Sequence, residues 1–107
     1  MDTIGRREEL VLLAVACLDD DAYLVAIQDF LSKVHGHPLS IGAVHIPLRR
    51  LEREGYIRAR LGESTPDRGG RRKKIYALTD KAVEVLRENK RVYDTLWARL
   101  AVSKPAL

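Results

Sequence analysis

Apolar positions recur along this chain with two different periods. Over residues 6–18, Leu10, Leu13, Ala14 and Cys17 stand at i, i+3, i+4 and i+7, the spacing of a helix with one buried face. Val11, Val15 and Leu18 widen that stripe, so this helix is expected to be covered on more than one side. A second helix is expected from about Ala22 to Val34, capped by Asp21, with Tyr23, Ile27, Phe30, Leu31 and Val34 on one face. His35-Gly36-His37-Pro38 stops it, because glycine supplies a left-handed cap and the residue before proline is pushed out of the helical region. The third helix is placed at Ile41–Glu54, with Ser40 as N-cap, Val44, Leu48 and Leu51 turned inward, and Gly55 just past its end. Pro47 interrupts it and removes one backbone donor, at a cost of about 3 kcal/mol in a regular helix interior. Two accounts are open: a kink that fits a groove, or an imperfect first half.

After Gly55 the period changes to two. Tyr56–Glu63 reads as a strand with Ile57, Ala59 and Leu61 pointing one way and Arg58 and Arg60 the other. Ser64–Gly70 is turn chemistry, and Lys74–Leu78 is the return strand. Thr79 caps a last helix from about Asp80 to Val102, roughly 35 Å long at about 1.5 Å per residue. Its apolar ladder is Ala82, Val83, Leu86, Val92, Tyr93, Leu96, Trp97 and Leu100. That is more apolar surface than a small domain can cover, and such a helix commonly finds its partner in a second copy. The predicted fold is therefore mainly α with a small β-hairpin. It is a winged helix-turn-helix over residues 1–79, a long C-terminal helix over 80–102, and a frayed tail over 103–107.

Composition narrows the function without naming it. A chain of 107 residues holds one core and leaves no room for a separate catalytic half. No apolar run approaches the roughly 20 residues that span a bilayer. Leu10–Leu18 is short, is closed by Asp19–Asp21, and lacks the small-residue cleavage site of a secretory signal. The single Cys17 excludes an intramolecular disulfide and, lying in an apolar run, is expected to be a buried thiol; the default compartment is the cytoplasm. The net charge of +4 matters less than its distribution. Arg49, Arg50 and Arg53 cluster on the third helix, and Arg68, Arg71, Arg72, Lys73 and Lys74 on the hairpin, whereas acids gather nearer the start. That is the charge pattern of a nucleic-acid-facing half.

With these pieces in view the chain resembles the short members of the PadR family of transcriptional regulators. The resemblance covers nearly the whole chain. It rests on the Leu-rich first helix, Asp20-Asp21-Ala22-Tyr23, the block Leu39–Ile57, Arg68-Gly69-Gly70-Arg71 in the wing, and Tyr76-Ala77-Leu78-Thr79 before the last helix. The most specific part is Ser40-x-Gly42-Ala43-Val44-x-x-x-Leu48-x-Arg50-Leu51-Glu52-x-Glu54-Gly55. This chain departs from the family in having Asp21-Ala22 where many members carry His-Gly, His45 where tyrosine is usual, and its proline at Pro47 instead of at the position of Ile46. The resemblance implies a homodimer docked through the first and last helices, with Leu10, Leu13, Val83, Leu86, Tyr93, Leu96, Trp97 and Leu100 in the seam. It also implies binding to an inverted repeat in double-stranded DNA near a regulated promoter, as a repressor. Some relatives take a flat aromatic effector in the cavity between subunits; Trp97 and Tyr93 are the candidates for it here, beside the simpler role of core or interface packing.

Helix geometry sorts the candidate DNA contacts. Gly42, Ile46, Arg49, Arg50 and Arg53 fall opposite Val44, Leu48 and Leu51, with Ala43 and His45 flanking the inward stripe. Arg49 can donate twice to a guanine edge, sit on a phosphate, or remain a solvated arginine. His45 is a groove contact or an exposed histidine. Ser40 caps the helix and can also touch a phosphate. Arg68, Arg71, Arg72 and Lys73 form a cluster whose self-repulsion is uncompensated, and Gly69-Gly70 allow close approach, which points to phosphate or minor-groove contact over a merely solvated tip. Metal, cofactor and catalytic sets are not found: His35 and His37 lack a second clustered pair, and no nucleophile motif or phosphate cradle occurs. The alternative to a DNA-binding regulator is a winged-helix module for protein–protein contact, and an enzyme is the weakest of the three readings.

Overall fold

Three helices enclose one apolar core, a two-stranded hairpin leans on it, and a fourth helix leaves from the hairpin. The computed structural model describes residues 4–64 and 72–100. In order these are α1 (Arg6–Leu18), a 3₁₀ turn (Asp19–Asp21), α2 (Leu24–His35), α3 (Ile41–Arg53), β1 (Ile57–Ser64), β2 (Arg72–Leu78) and α4 (Asp80–Arg99). The fold class expected from the sequence holds.

The core is where α1, α2 and α3 meet under the hairpin. Val11, Leu12, Val15, Ile27, Val44, Leu48, Leu51 and Ile57 are all but fully buried. Gly36 ends α2 at φ +78°, a left-handed conformation that glycine adopts without steric cost. The Ser40 hydroxyl accepts from the Ala43 amide at 3.1 Å and so fixes the first turn of α3. We expect Ser40→Ala to lower stability by about 1 kcal/mol in chemical denaturation, the usual worth of a lost N-cap. Pro47 is buried, and α3 runs through it without a break. The end of α3 is tied to the start of α4. Thr79 Oγ1 donates to the carbonyls of Gly55 (2.7 Å) and Tyr56 (3.1 Å), and Lys81 Nζ donates to the carbonyl of Glu54 (2.9 Å).

β1 and β2 pair antiparallel, with Ile57 opposite Leu78 and Ala59 opposite Tyr76. The hairpin is anchored to the body by the segment before α2. Tyr23 bridges Ile75, and the Tyr76 amide donates to the Ala22 carbonyl at 2.8 Å. This anchoring changes the expected start of α2. Tyr23 is extended and pairs with β2, the Ala22 carbonyl accepts from it, Asp21 closes the 3₁₀ turn, and the helix begins at Leu24 with no side-chain cap.

Other expectations are corrected in detail. Helix α1 buries Val11, Leu12, Ala14 and Val15, while Leu13 and Cys17 are exposed, so Cys17 is not a core thiol. The reason is that this helix is apolar on most sides, and its phase is set by what packs on it. Val34 is exposed on the last turn of α2. The alternation of β1 fails after Ala59: Leu61 is exposed, Gly62 is buried, and the pairing is irregular between Leu61 and Ser64. β1 is displaced by one residue from the expected Tyr56–Glu63, β2 starts two residues before the expected Lys74 and ends as expected at Leu78, and α4 ends at Arg99 with Leu100 extended, short of the expected Val102. The expected tail 103–107 lies outside the described residues. Among the described residues, no helix is long and apolar enough to cross a membrane.

The molecule measures 57 × 31 × 20 Å. Along α4, Ala82 is buried, Val85 and Leu86 pack against the core, and every residue from Arg91 to Leu100 is exposed.

Candidate nucleic-acid interface

Helix α3 carries the core on one side and a basic, open face on the other. Val44, Leu48 and Leu51 are fully buried. On the opposite side His45, Arg49 and Arg53 are exposed, and Ile46 is 71% exposed. Gly42 leaves this face bare one turn earlier, since nothing lies within 4 Å of where its Cβ would stand. Ser40 is exposed at the helix start and Ala43 is half-buried beside it. An open groove runs from this face to β2, lined by His45, Arg49, Glu52, Arg53 and Lys74 over Leu24 and Tyr76.

Of the expected contacts, Arg49, Arg53, His45 and Ile46 come together; Arg50 stands apart. Arg50 Nη1 lies 2.9 Å from Glu8 Oε2 and its Nε donates to Glu54 Oε2 at 2.9 Å, so both ends of its fork are engaged. Among the described residues neither Arg49 nor Arg53 is paired with a carboxylate. On the hairpin, Lys74 Nζ donates to Glu52 Oε1 at 2.8 Å, and that bond holds its ammonium above the usual lysine range. Lys73 Nζ rests 3.9 Å from the centroid of the Tyr23 ring, a cation–π contact that ties the turn end of β2 to the segment before α2. Arg72 is exposed at the end of the register, opposite Ser64. Arg68, Gly69, Gly70 and Arg71 lie outside the described residues.

A second constellation joins α1 to α4, and sequence reasoning missed its polar half. Glu8 and Glu9 are both buried in the first turn of α1. Glu8 accepts from the Gly5 amide at 2.7 Å and meets Arg50; Glu9 accepts from Asn89 Nδ2 at 2.6 Å and from the Tyr93 hydroxyl at 3.1 Å. The bond to Glu9 raises the Tyr93 phenol above its ordinary range, because removing its proton would leave two anions in contact. The legible signal was a glutamate three residues after a helix start, which reaches back to an orphan amide. Of the residues expected in a dimer seam, Leu10 and Leu86 pack partly on the chain's own core and Val83 is half-buried. Leu13, Tyr93, Leu96, Trp97 and Leu100 are exposed, at 44, 44, 62, 66 and 51%. Among the described residues no group of three or more metal-ligating side chains forms; the rings of His35 and His37 lie 5.5 Å apart, tilted by 44°.

Comparison with known proteins bears on this arrangement. No family sequence model and no curated protein matches the chain. Solved structures do. A PadR family transcriptional regulator from Eggerthella lenta is 30% identical, with 87% of this chain and 79% of that one aligned at a TM-score of 0.66. A PadR-like transcriptional regulator from Bacillus cereus aligns over 94% of this chain and 92% of its own, with a TM-score of 0.74 and 23% identity. A PadR family transcription regulator from Clostridium difficile aligns over 88% and 93%, with a TM-score of 0.66 and 23% identity. The last two speak for the fold alone. The first carries identity across most of both chains, and on that basis the chain belongs to the PadR family of transcriptional regulators.

Proposed function

We propose that the protein regulates transcription by binding double-stranded DNA, with α3 in the major groove and the hairpin on the flanking backbone. The observation that carries this reading is the two-sidedness of α3. Its inner face is locked into the core by Val44, Leu48 and Leu51, so the outer face presents His45, Ile46, Arg49 and Arg53 as a rigid unit. Arginine and histidine donors suit base edges and phosphates, and the groove between α3 and β2 continues the positive surface toward Arg72 and Lys73. Arg68 and Arg71 extend that surface in sequence. Ser40 and Ala43 line the approach of the helix start, and Arg50, its charge offset by Glu8 and Glu54, fixes α3 to α1. The solved relatives named above are transcriptional regulators, and we read this chain as one that binds DNA without catalysis.

The finer reading is a homodimeric repressor on an inverted repeat. Its support is the outer half of α4, where Leu96, Trp97 and Leu100 have no cover from the chain's own core. The stripe that buries Ala82 and Leu86 continues through Tyr93 to these residues at the same helical period, so one face serves first the core and then a second copy. A two-fold dimer would present two α3 helices to two half-sites. A flat aromatic effector against Trp97 and Tyr93 would relieve repression only by binding the DNA-free arrangement better than the bound one.

Salt dependence tests the DNA reading. Binding to duplex should weaken steeply between about 50 and 200 mM salt, because each phosphate contact releases a counterion. The double variant Arg49→Ala, Arg53→Ala should reduce the slope of log K against log salt by about 0.9 for each arginine that sits on a phosphate. Absence of duplex binding by the unaltered protein would overturn the reading in favour of a protein-interaction module.

A further inference from the structure

Ile46 is, among the described residues, the most exposed of the large apolar side chains, at 71%. It stands in the middle of the outward face of α3, between Gly42 one turn before and Arg49 just after, with His45 beside it. Exposed aliphatic side chains need no explanation when scattered, but this one is centred among the groups proposed to meet DNA. The major groove offers hydrogen-bond donors and acceptors at every base pair and a single apolar group, the C5-methyl of thymine. We propose that Ile46 selects a thymine in each half-site by packing against that methyl group.

Three observations support this occupant over a second protein surface. The cations around Ile46 would face their own copies across a two-fold contact, where like charges repel, whereas they complement a polyanion. Ile46 lies in the N-terminal half of α3, the half that helix-turn-helix proteins bring nearest to base edges. Gly42, with open space where a Cβ would stand, lets the backbone of that half approach the groove closely. A β-branched side chain on a helix has one dominant rotamer, so its reach is fixed before DNA arrives. The inference rests on the DNA-binding reading and adds the chemistry of one base position to it.

The test is selection from a random duplex library with the unaltered protein and with Ile46→Ser, at physiological salt. In the duplex enriched by the unaltered protein each thymine is then replaced singly by deoxyuridine, which removes the methyl and leaves every hydrogen-bonding group. At one thymine per half-site the unaltered protein should bind about four-fold more weakly, the worth of one buried methyl. Ile46→Ser should be indifferent to that same replacement, and Ile46→Val should keep most of the discrimination. Because the side chain is exposed, thermal unfolding and oligomeric state should be unchanged in both variants. Indifference of the unaltered protein at every thymine, or an equal loss in Ile46→Ser, overturns the assignment while leaving DNA binding intact. Enrichment of no motif, together with a flat salt response, overturns the DNA reading and this inference with it.

Discussion

Leu96→Asp should convert the protein to a monomer at micromolar concentration without unfolding it. In the isolated chain Leu96 is 62% exposed, so a carboxylate there meets water and should change monomer stability by no more than about 0.5 kcal/mol. In a seam between two copies of α4 the same carboxylate loses its hydration to apolar neighbours, and burying an unpaired charge costs several kcal/mol. The cost falls twice, once per copy, if the contact is two-fold. Light scattering should therefore report one chain per particle for the variant and two for the parent, with the same helical signal by circular dichroism. Affinity for an inverted repeat should drop toward that for a single half-site. A variant that stays dimeric would place the seam elsewhere than the outer half of α4.

Leu48→Ala should have the largest effect on folding. Leu48 is fully buried on the inner face of α3, where truncation both exposes the site to loss of contacts and leaves a cavity. Leu→Ala changes in cores cost about 2–5 kcal/mol, a large share of the roughly 5–15 kcal/mol that holds a domain of this kind together. The midpoint of urea unfolding should shift down accordingly with little change in slope. Since His45, Ile46, Arg49 and Arg53 are outside the core, the fraction still folded should bind DNA nearly as before, and saturating duplex should recover part of the lost thermal stability through linkage. A midpoint within about 0.5 kcal/mol of the parent would mean that the site collapses around the smaller residue.

What could be read from the sequence follows from how much local chemistry each element carries. Helix α3 was legible to within one residue, because Ser40, the Val44–Leu48–Leu51 spacing and Gly55, at φ +82°, all point to the same limits. The order of elements and the exposed face of α3 came from the same patterns. The face of α1 was not legible. Leu10–Leu18 is apolar at nearly every position, so its own period cannot say whether Leu13 and Cys17 or Leu12 and Val15 turn inward; contact with α2 and α3 decides that. The start of α2 was misplaced because Ala22 and Tyr23 are recruited by β2, a long-range pairing that no local signal marks. The bonds from Glu8 and Glu9 to Arg50, Asn89 and Tyr93 span up to 84 positions of sequence and are equally invisible to spacing arguments.

Glu8 and Glu9 have a practical corollary for anyone handling this protein. One turn of helix, opened by the Gly5 amide bonded to Glu8 and preceded by Ile4 packed on the core, carries the contact to Arg50 on α3 and the contact to Asn89 and Tyr93 on α4. An affinity tag or fluorophore joined directly at Gly5, or a trimmed start that removes Ile4, would disturb the contacts to α3 and to α4 in one stroke. Labels belong ahead of a spacer, leaving the stretch from Ile4 to Glu9 as it is.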